Sequence, residues 1–106
     1  MVSGVIPCDK VHENENVLAF RDIDPKAPTH ILIIPKKHIT TLNEINKSDQ
    51  NLLGELLLTA KKIAKDEEID TSGYRTVINC NSDGGQTVFH IHMHLLGGRP
   101  MAWPPG

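Results

Sequence analysis

The segment Phe89-His90-Ile91-His92-Met93-His94-Leu95-Leu96 constrains the fold more than any other stretch of the chain. Its polar and apolar residues alternate with a period of two, which is the period of a strand and not of a helix. Alternate strand residues lie about 6.6 Å apart on one face. His90, His92 and His94 therefore form a row of imidazoles, while Ile91, Met93 and Leu95 point the other way, into a core. The chain also supplies a cover for that core. Leu53, Leu56, Leu57, Ala60, Ile63 and Ala64 recur at three- and four-residue steps and make one apolar helical stripe. Ser48 is expected to cap this helix, with Asp49 in its first turn and Lys61, Lys62 and Lys65 near its C-terminal end, as the helix dipole favours. Gly54 costs the helix about 1 kcal/mol of propensity, and Gly73 closes the region.

Four more strands are expected. Lys10 to Glu13 and Val17 to Arg21 flank the polar turn Asn14-Glu15-Asn16 and suggest a hairpin. His30 to Ile34 is a nearly continuous apolar run closed by Pro35, which fits a buried strand. Thr76 to Cys80 follows the breaker Gly73, and Phe89 to Leu96 is stopped by Gly97-Gly98. The loop Asp22 to Thr29 is stiffened by Pro25 and Pro28, and the tail Pro100 to Gly106 is unsuited to regular structure. Strands gathered around one long helix predict an α+β domain: an antiparallel sheet with the helix on one face.

A chain of 106 residues fits one domain, and 39% apolar residues suffice for a globular core. A net charge of -2 without a basic run argues against nucleic-acid binding through phosphate neutralisation, since the densest basic spot is only Lys36-Lys37. No apolar stretch approaches the roughly 18 residues of a membrane span. Met1 to Pro7 lacks the pattern of a secretory signal. No membrane partner is expected. Cys8 and Cys80 have neither metal nor redox spacing and read as free thiols of a reducing compartment, with the cytoplasm as the default location.

Imidazole is nucleophile, acid and base near neutral pH. A neutral histidine can attack phosphorus and form a covalent intermediate, while a neighbouring imidazolium protonates the leaving group. The same His-x-His spacing also suits two zinc ligands, and the triplet alone leaves both readings open. The upstream loop, Asn79-Cys80-Asn81-Ser82-Asp83-Gly84-Gly85-Gln86-Thr87, favours an anion over a metal. Its glycines let backbone N–H groups approach a ligand, and Gln86 and Thr87 add neutral donors.

His90 to Leu96 resembles the His-φ-His-φ-His-φ-φ signature of the histidine triad superfamily, φ being apolar, and the chain looks most like its Hint branch, the histidine triad nucleotide-binding proteins. The likeness runs nearly end to end. Phe20-Arg21-Asp22-Ile23, Ala27-Pro28-Thr29-His30, Ile34-Pro35-Lys36-Lys37-His38, Ser82 to Gln86 and Trp103-Pro104-Pro105-Gly106 stand where that branch has similar segments.

The resemblance implies a single domain over residues 1–106, with residues 98–106 as an extended tail. Its fold is a five-stranded antiparallel sheet with one long helix and a truncated N-terminal helix leading into Ile6-Pro7, dimerising into a ten-stranded sheet. It implies that His92 is the nucleophile, that His94 contacts phosphate and leaving group, that His90 orients the nucleophilic ring and that His30 supports them. Asp22 would accept from the ribose hydroxyls, and Phe20 and Ile23 would line the base pocket. Asn79, Gly85, Gln86 and Thr87 would hold the phosphate side, with Met93 beside His92 and His94; Thr87 replaces a serine and keeps the hydroxyl. Trp103 would reach the partner subunit's site. Ala102 stands where some relatives carry a bulkier or polar residue, which bears on specificity.

The implied reaction is hydrolysis of the P–N bond of purine nucleoside 5′-phosphoramidates such as AMP-lysine, through a nucleotidyl-histidine. The implied partners are AMP, GMP and their amides, and a second copy of the chain. No cofactor and no metal are expected, and the nucleus is a second compartment for such a protein. The alternatives are a dinucleoside polyphosphate hydrolase or nucleotidyl transferase, and a nucleotide-binding regulatory or scaffold protein.

Overall fold

The structure, a computed structural model, describes residues 9–106; the expected N-terminal helix, Ile6-Pro7 and Cys8 lie outside the described residues. Strands β1 (Lys10–Glu13) and β2 (Val17–Arg21) form the expected hairpin. Its turn is built by Asn14, whose Oδ1 accepts from the N–H groups of Asn16 and Val17 at 2.8 Å each. Strand β3 (Thr29–Pro35) pairs with β2, helix α1 spans Gln50–Asp66, and β4 (Tyr74–Val77) and β5 (Met93–Gly97) complete an antiparallel sheet of order β1-β2-β3-β5-β4. This is the expected α+β architecture.

Helix α1 covers one face of the sheet. Leu56, Ala60, Ile63 and Ala64 pack against Val17, Ala19, Ile31, Ile33, Met93 and Leu95. Fully buried residues such as Ile31, Ile33, Leu56, Ile63 and Leu95 each contribute about 1.5–3 kcal/mol of transfer free energy.

Several element boundaries differ from expectation, the larger differences for a local reason. The helix is not capped by Ser48, which lies inside a 3₁₀ turn, Lys47–Asp49, running into α1. Asn46 takes the capping place, and its backbone N–H donates to the Asp49 carboxylate at 3.0 Å. At the other end the stop is Glu68 at φ 60, not Gly73. Leu57 is not buried with the stripe: with Leu56, Ala60 and Ile63 at its centre, Leu57 and Leu58 fall on the exposed flank. Strand β4 is Tyr74–Val77 and does not extend to Cys80. The chain turns at Asn81 (φ 59) and folds Gly84 so tightly onto Cys80 that a Cβ there would lie 2.5 Å from the Cys80 carbonyl oxygen.

The last difference shapes the site. Strand β5 begins at Met93 and not at Phe89, so His90 and His92 precede the regular ladder. The register pairs Ile33 with Met93, which would bring Pro35 opposite Ile91. Pro35 has no N–H to continue the ladder. The Ile91 N–H instead donates to the Ile39 carbonyl at 2.7 Å, and the Pro35 carbonyl faces the His90 ring.

Candidate active site

The face of the sheet away from α1 carries the imidazoles. Cross-strand partners share a face. Phe20 is opposite Leu32 and Leu32 opposite His94, while His30 is opposite Leu96 in the adjacent row. Asp22, one step beyond β2, donates its backbone N–H to the His30 carbonyl at 3.0 Å. The sheet thus sets an apolar patch of Leu18, Phe20, Leu32 and Ile34 beside a polar patch of Asp22, His30 and His94.

Hydrogen bonds determine which nitrogen of each ring carries the proton. The Lys26 backbone N–H can only donate, and it lies 3.0 Å from His30 Nδ1. Neutral His30 therefore carries its proton on Nε2, which lies 2.9 Å from His94 Nδ1. His94 accepts there and carries its own proton on Nε2. His92 Nδ1 lies 2.8 Å from the His90 carbonyl, which can only accept, so His92 donates from Nδ1 and keeps a lone pair on Nε2. The His92 and His94 ring centroids are 4.9 Å apart. A nitrogen with a free lone pair and a nitrogen bearing a proton are thus held on adjacent rings.

Both members of the pair, buried His30 and half-buried His94, are held neutral. Burial lowers the His94 pKa from 6.5 to about 4, with the nearby His92 and His30 rings adding to the effect and Asp22 opposing it. Burial also lowers His30, again opposed by Asp22, whose Oδ2 is 3.5 Å from His30 Nε2.

The ring of His90 does not stand in one row with the other two. It turns to the Pro35 carbonyl, 2.8 Å from Nε2, and to His38, whose Nδ1 is 3.1 Å from His90 Nδ1. What His90 gives His92 is its backbone carbonyl. His38 is the site residue that sequence reasoning missed. Its signal was its place three residues after the proline that ends β3, which tells only in combination with the register.

Three expected binding residues stand elsewhere. The Met93 side chain faces α1 in the core, because Met93 pairs with the inward Ile33. Ile23 is 96% exposed in the loop beyond β2 and lines no apolar wall among the described residues. The Gln86 side chain is buried and its amide is used within the loop: Oε1 accepts from Asn81 N–H at 2.9 Å, and Nε2 donates to the carbonyls of Thr40 at 2.8 Å and Val88 at 3.1 Å. Gln86 shapes the loop and leaves only its backbone for a ligand. Phe20 is in the apolar patch as expected. Gly85 (φ 83) and Thr87 are exposed in the loop, with half-buried Asn79 beside Gly85. Trp103 is 81% exposed, with the Arg75 guanidinium 6.0 Å from its ring centre.

Asp22, His30 and His94 bring ligand-type atoms within 4.8 Å of one another, the one such grouping among the described residues. His30 Nε2 and His94 Nδ1 already share a proton, so a cation bound through them would compete with the hydrogen bond that orders the pair.

The HIT domain model matches residues 3–101, and the chain belongs to that family. It is 53% identical over 96 residues to the purine nucleoside phosphoramidase of Escherichia coli K12, covering 91% of this chain and 81% of that protein. An uncharacterised HIT-like protein of Synechococcus elongatus is 59% identical over 101 residues, 95% of this chain and 88% of that one. The crystal structure of a HIT family hydrolase from Legionella pneumophila superposes with a TM-score of 0.98 at 58% identity, covering 100% of this chain and 95% of that one.

Proposed function

We propose that the protein hydrolyses the P–N bond of purine nucleoside 5′-phosphoramidates. The observation that carries this reading is the proton order of the rings: His92 Nε2 bears a lone pair beside the His94 Nε2–H. His92 Nε2 attacks the α-phosphorus and forms a P–N bond. The substrate's P–N bond breaks, and the nitrogen leaves with the bonding pair and a proton delivered through His94 Nε2. The positive charge on the nucleotidyl ring is shared with the His90 carbonyl through Nδ1–H. Water then attacks phosphorus, returns a proton to His94 and releases AMP or GMP and free His92. No step calls for a cofactor or a metal.

Asp22 accepts from the ribose in this reading, the base lies along Phe20 and Leu32, and the phosphate meets Gly85 and Thr87 with Asn79 beside them. The similarity to the E. coli phosphoramidase supports the substrate class. The whole chain acts as one HIT domain with residues 98–106 as its tail, in the cytoplasm; among the described residues no helix is long and apolar enough to cross a membrane.

The working unit is a homodimer in which Trp103 serves the partner's site. Its support is the edge position of β4 next to exposed Leu57, Leu58 and Tyr74, together with the exposure of Trp103.

Turnover of a fluorogenic AMP-amide against a diadenosine polyphosphate tests the reading. A kcat/KM more than about tenfold higher for the amide is expected, a difference of roughly 1.4 kcal/mol. Preference for the polyphosphate would move the protein to the other enzymatic class, and no turnover of either would leave the regulatory reading.

A further inference from the structure

We infer that Arg99 is a positioning residue for this reaction: through Lys26 it fixes the proton order of the His30–His94 pair. The inference rests on the phosphoramidase reading and adds the group that keeps the leaving-group donor in its working form.

Arg99 lies two residues beyond β5 and five after His94. Gly98, at φ 89, brings this stretch against the β2–β3 loop so closely that a Cβ would lie 2.8 Å from Pro28 Cβ. There Arg99 Nη2 donates to the Lys26 carbonyl at 2.9 Å, and Nη1 donates to the Pro100 carbonyl at 3.0 Å. Lys26 is thereby held on both sides, its carbonyl by Arg99 and its N–H by His30 Nδ1. Its ammonium is engaged separately with Asp24 at 2.6 Å.

Asp22 Oδ2, 3.5 Å from His30 Nε2, favours a proton on that nitrogen, but the hydrogen bond that keeps the proton off Nδ1 is the Lys26 backbone N–H. While it donates to His30 Nδ1, His30 must donate from Nε2, and His94 must carry its proton on Nε2. If the Lys26 backbone, whose two flanking peptide units make these two contacts, shifts away, His30 can place its proton on Nδ1 and accept at Nε2. His94 then donates from Nδ1 and its Nε2 is bare. One lost contact opens the reversed order to both rings, and in that fraction of molecules the nitrogen that serves the leaving group has no proton. His92 is unaffected, because its proton is ordered by the His90 carbonyl on a different segment.

The expected defect is therefore specific to the leaving group. An alkyl amine must depart protonated, whereas p-nitrophenolate departs as a stable anion. Arg99→Met keeps much of the side-chain stem and removes the donors. It should lower kcat on an AMP-alkylamide by about 3–10-fold, a fraction of the 10²–10⁴ that proton transfer supplies. KM should be unchanged, and turnover of the p-nitrophenyl ester of AMP should stay within about twofold of wild type. Arg99→Lys should recover most of the loss, and in a His30→Ala background Arg99→Met should cost nothing further.

Long-range proton–nitrogen NMR of the imidazoles gives a readout independent of turnover: His94 protonated at Nε2 in the wild type, and a mixture of both tautomers in Arg99→Met. Equal losses on amide and ester, additivity with His30→Ala, or an unchanged His94 tautomer would overturn the inference. An active His92→Asn protein would instead overturn the reaction on which it rests, while the NMR result would still decide the proton order.

Discussion

Replacing His94 with asparagine should flatten the acid sensitivity of the fold. Asparagine Oδ1 can accept the His30 Nε2 proton as His94 Nδ1 does, but it does not titrate. In the folded chain His94 titrates at about 4, and unfolded it returns to about 6.5. Between these values the unfolded chain binds more protons, so stability falls as pH falls. The contribution of neutral His94 is fully present above about 6.5 and is lost by about 4. A gap of this size integrates to ~3 kcal/mol overall and to ~2 kcal/mol between about pH 7.5 and about pH 5. The ring borders the open cleft, and solvent screening reduces the second figure to about 1 kcal/mol. His30 is shifted in the same direction and is present in both proteins, so it largely cancels. Urea unfolding at the two pH values should show the wild type losing about 1 kcal/mol more than His94→Asn. Equal losses in the two proteins would refute the assignment of His94 as a ring held neutral by burial.

Gly54→Ala should stabilise the fold by about 0.5–1 kcal/mol in thermal or urea melts, because a Cβ there meets no atom within 4 Å and alanine is the better helix former. Gln86→Leu should destabilise by about 1–3 kcal/mol in the same melts, since it strands the Asn81 N–H and the Thr40 carbonyl, and it should also lower activity by loosening the loop that leads into His90. EDTA should leave turnover unchanged, because the pairing of His30 with His94 is made by a proton; activity lost to the chelator and restored by zinc would revive the metal reading.

The two periodicities were the most legible part of the chain. The alternation of Ile91, Met93 and Leu95 and the stripe through Leu56, Ala60 and Ile63 were enough to place a sheet under a helix, and both sets are buried as expected. That His92 and His94 sit side by side was legible from residue type and spacing, and their roles as nucleophile and donor are the reading proposed above. Features that depend on which backbone group faces which ring were not. That Pro35 halts the ladder before His90 and that His38 meets His90 follow from strand register, and that a Lys26 N–H meets His30 follows from the path of the β2–β3 loop. Gln86 misled for a related reason. An amide in a glycine-rich loop looks like a ligand donor until Asn81, Thr40 and Val88 are found to occupy it. Leu57 was placed in the buried stripe because three- and four-residue steps do not fix how wide the covered face of a helix is, and it is exposed.

Whether His92 forms the bond to phosphorus is tested most directly by mass spectrometry of a rapidly quenched reaction with an AMP-amide. One AMP added per chain, mapped to His92, is expected. His92→Asn should show no adduct and no turnover while binding AMP within about tenfold of wild type, since only a nucleophile's removal closes the covalent route. An adduct on any other residue, or a His92→Asn protein that still turns over, would contradict the account.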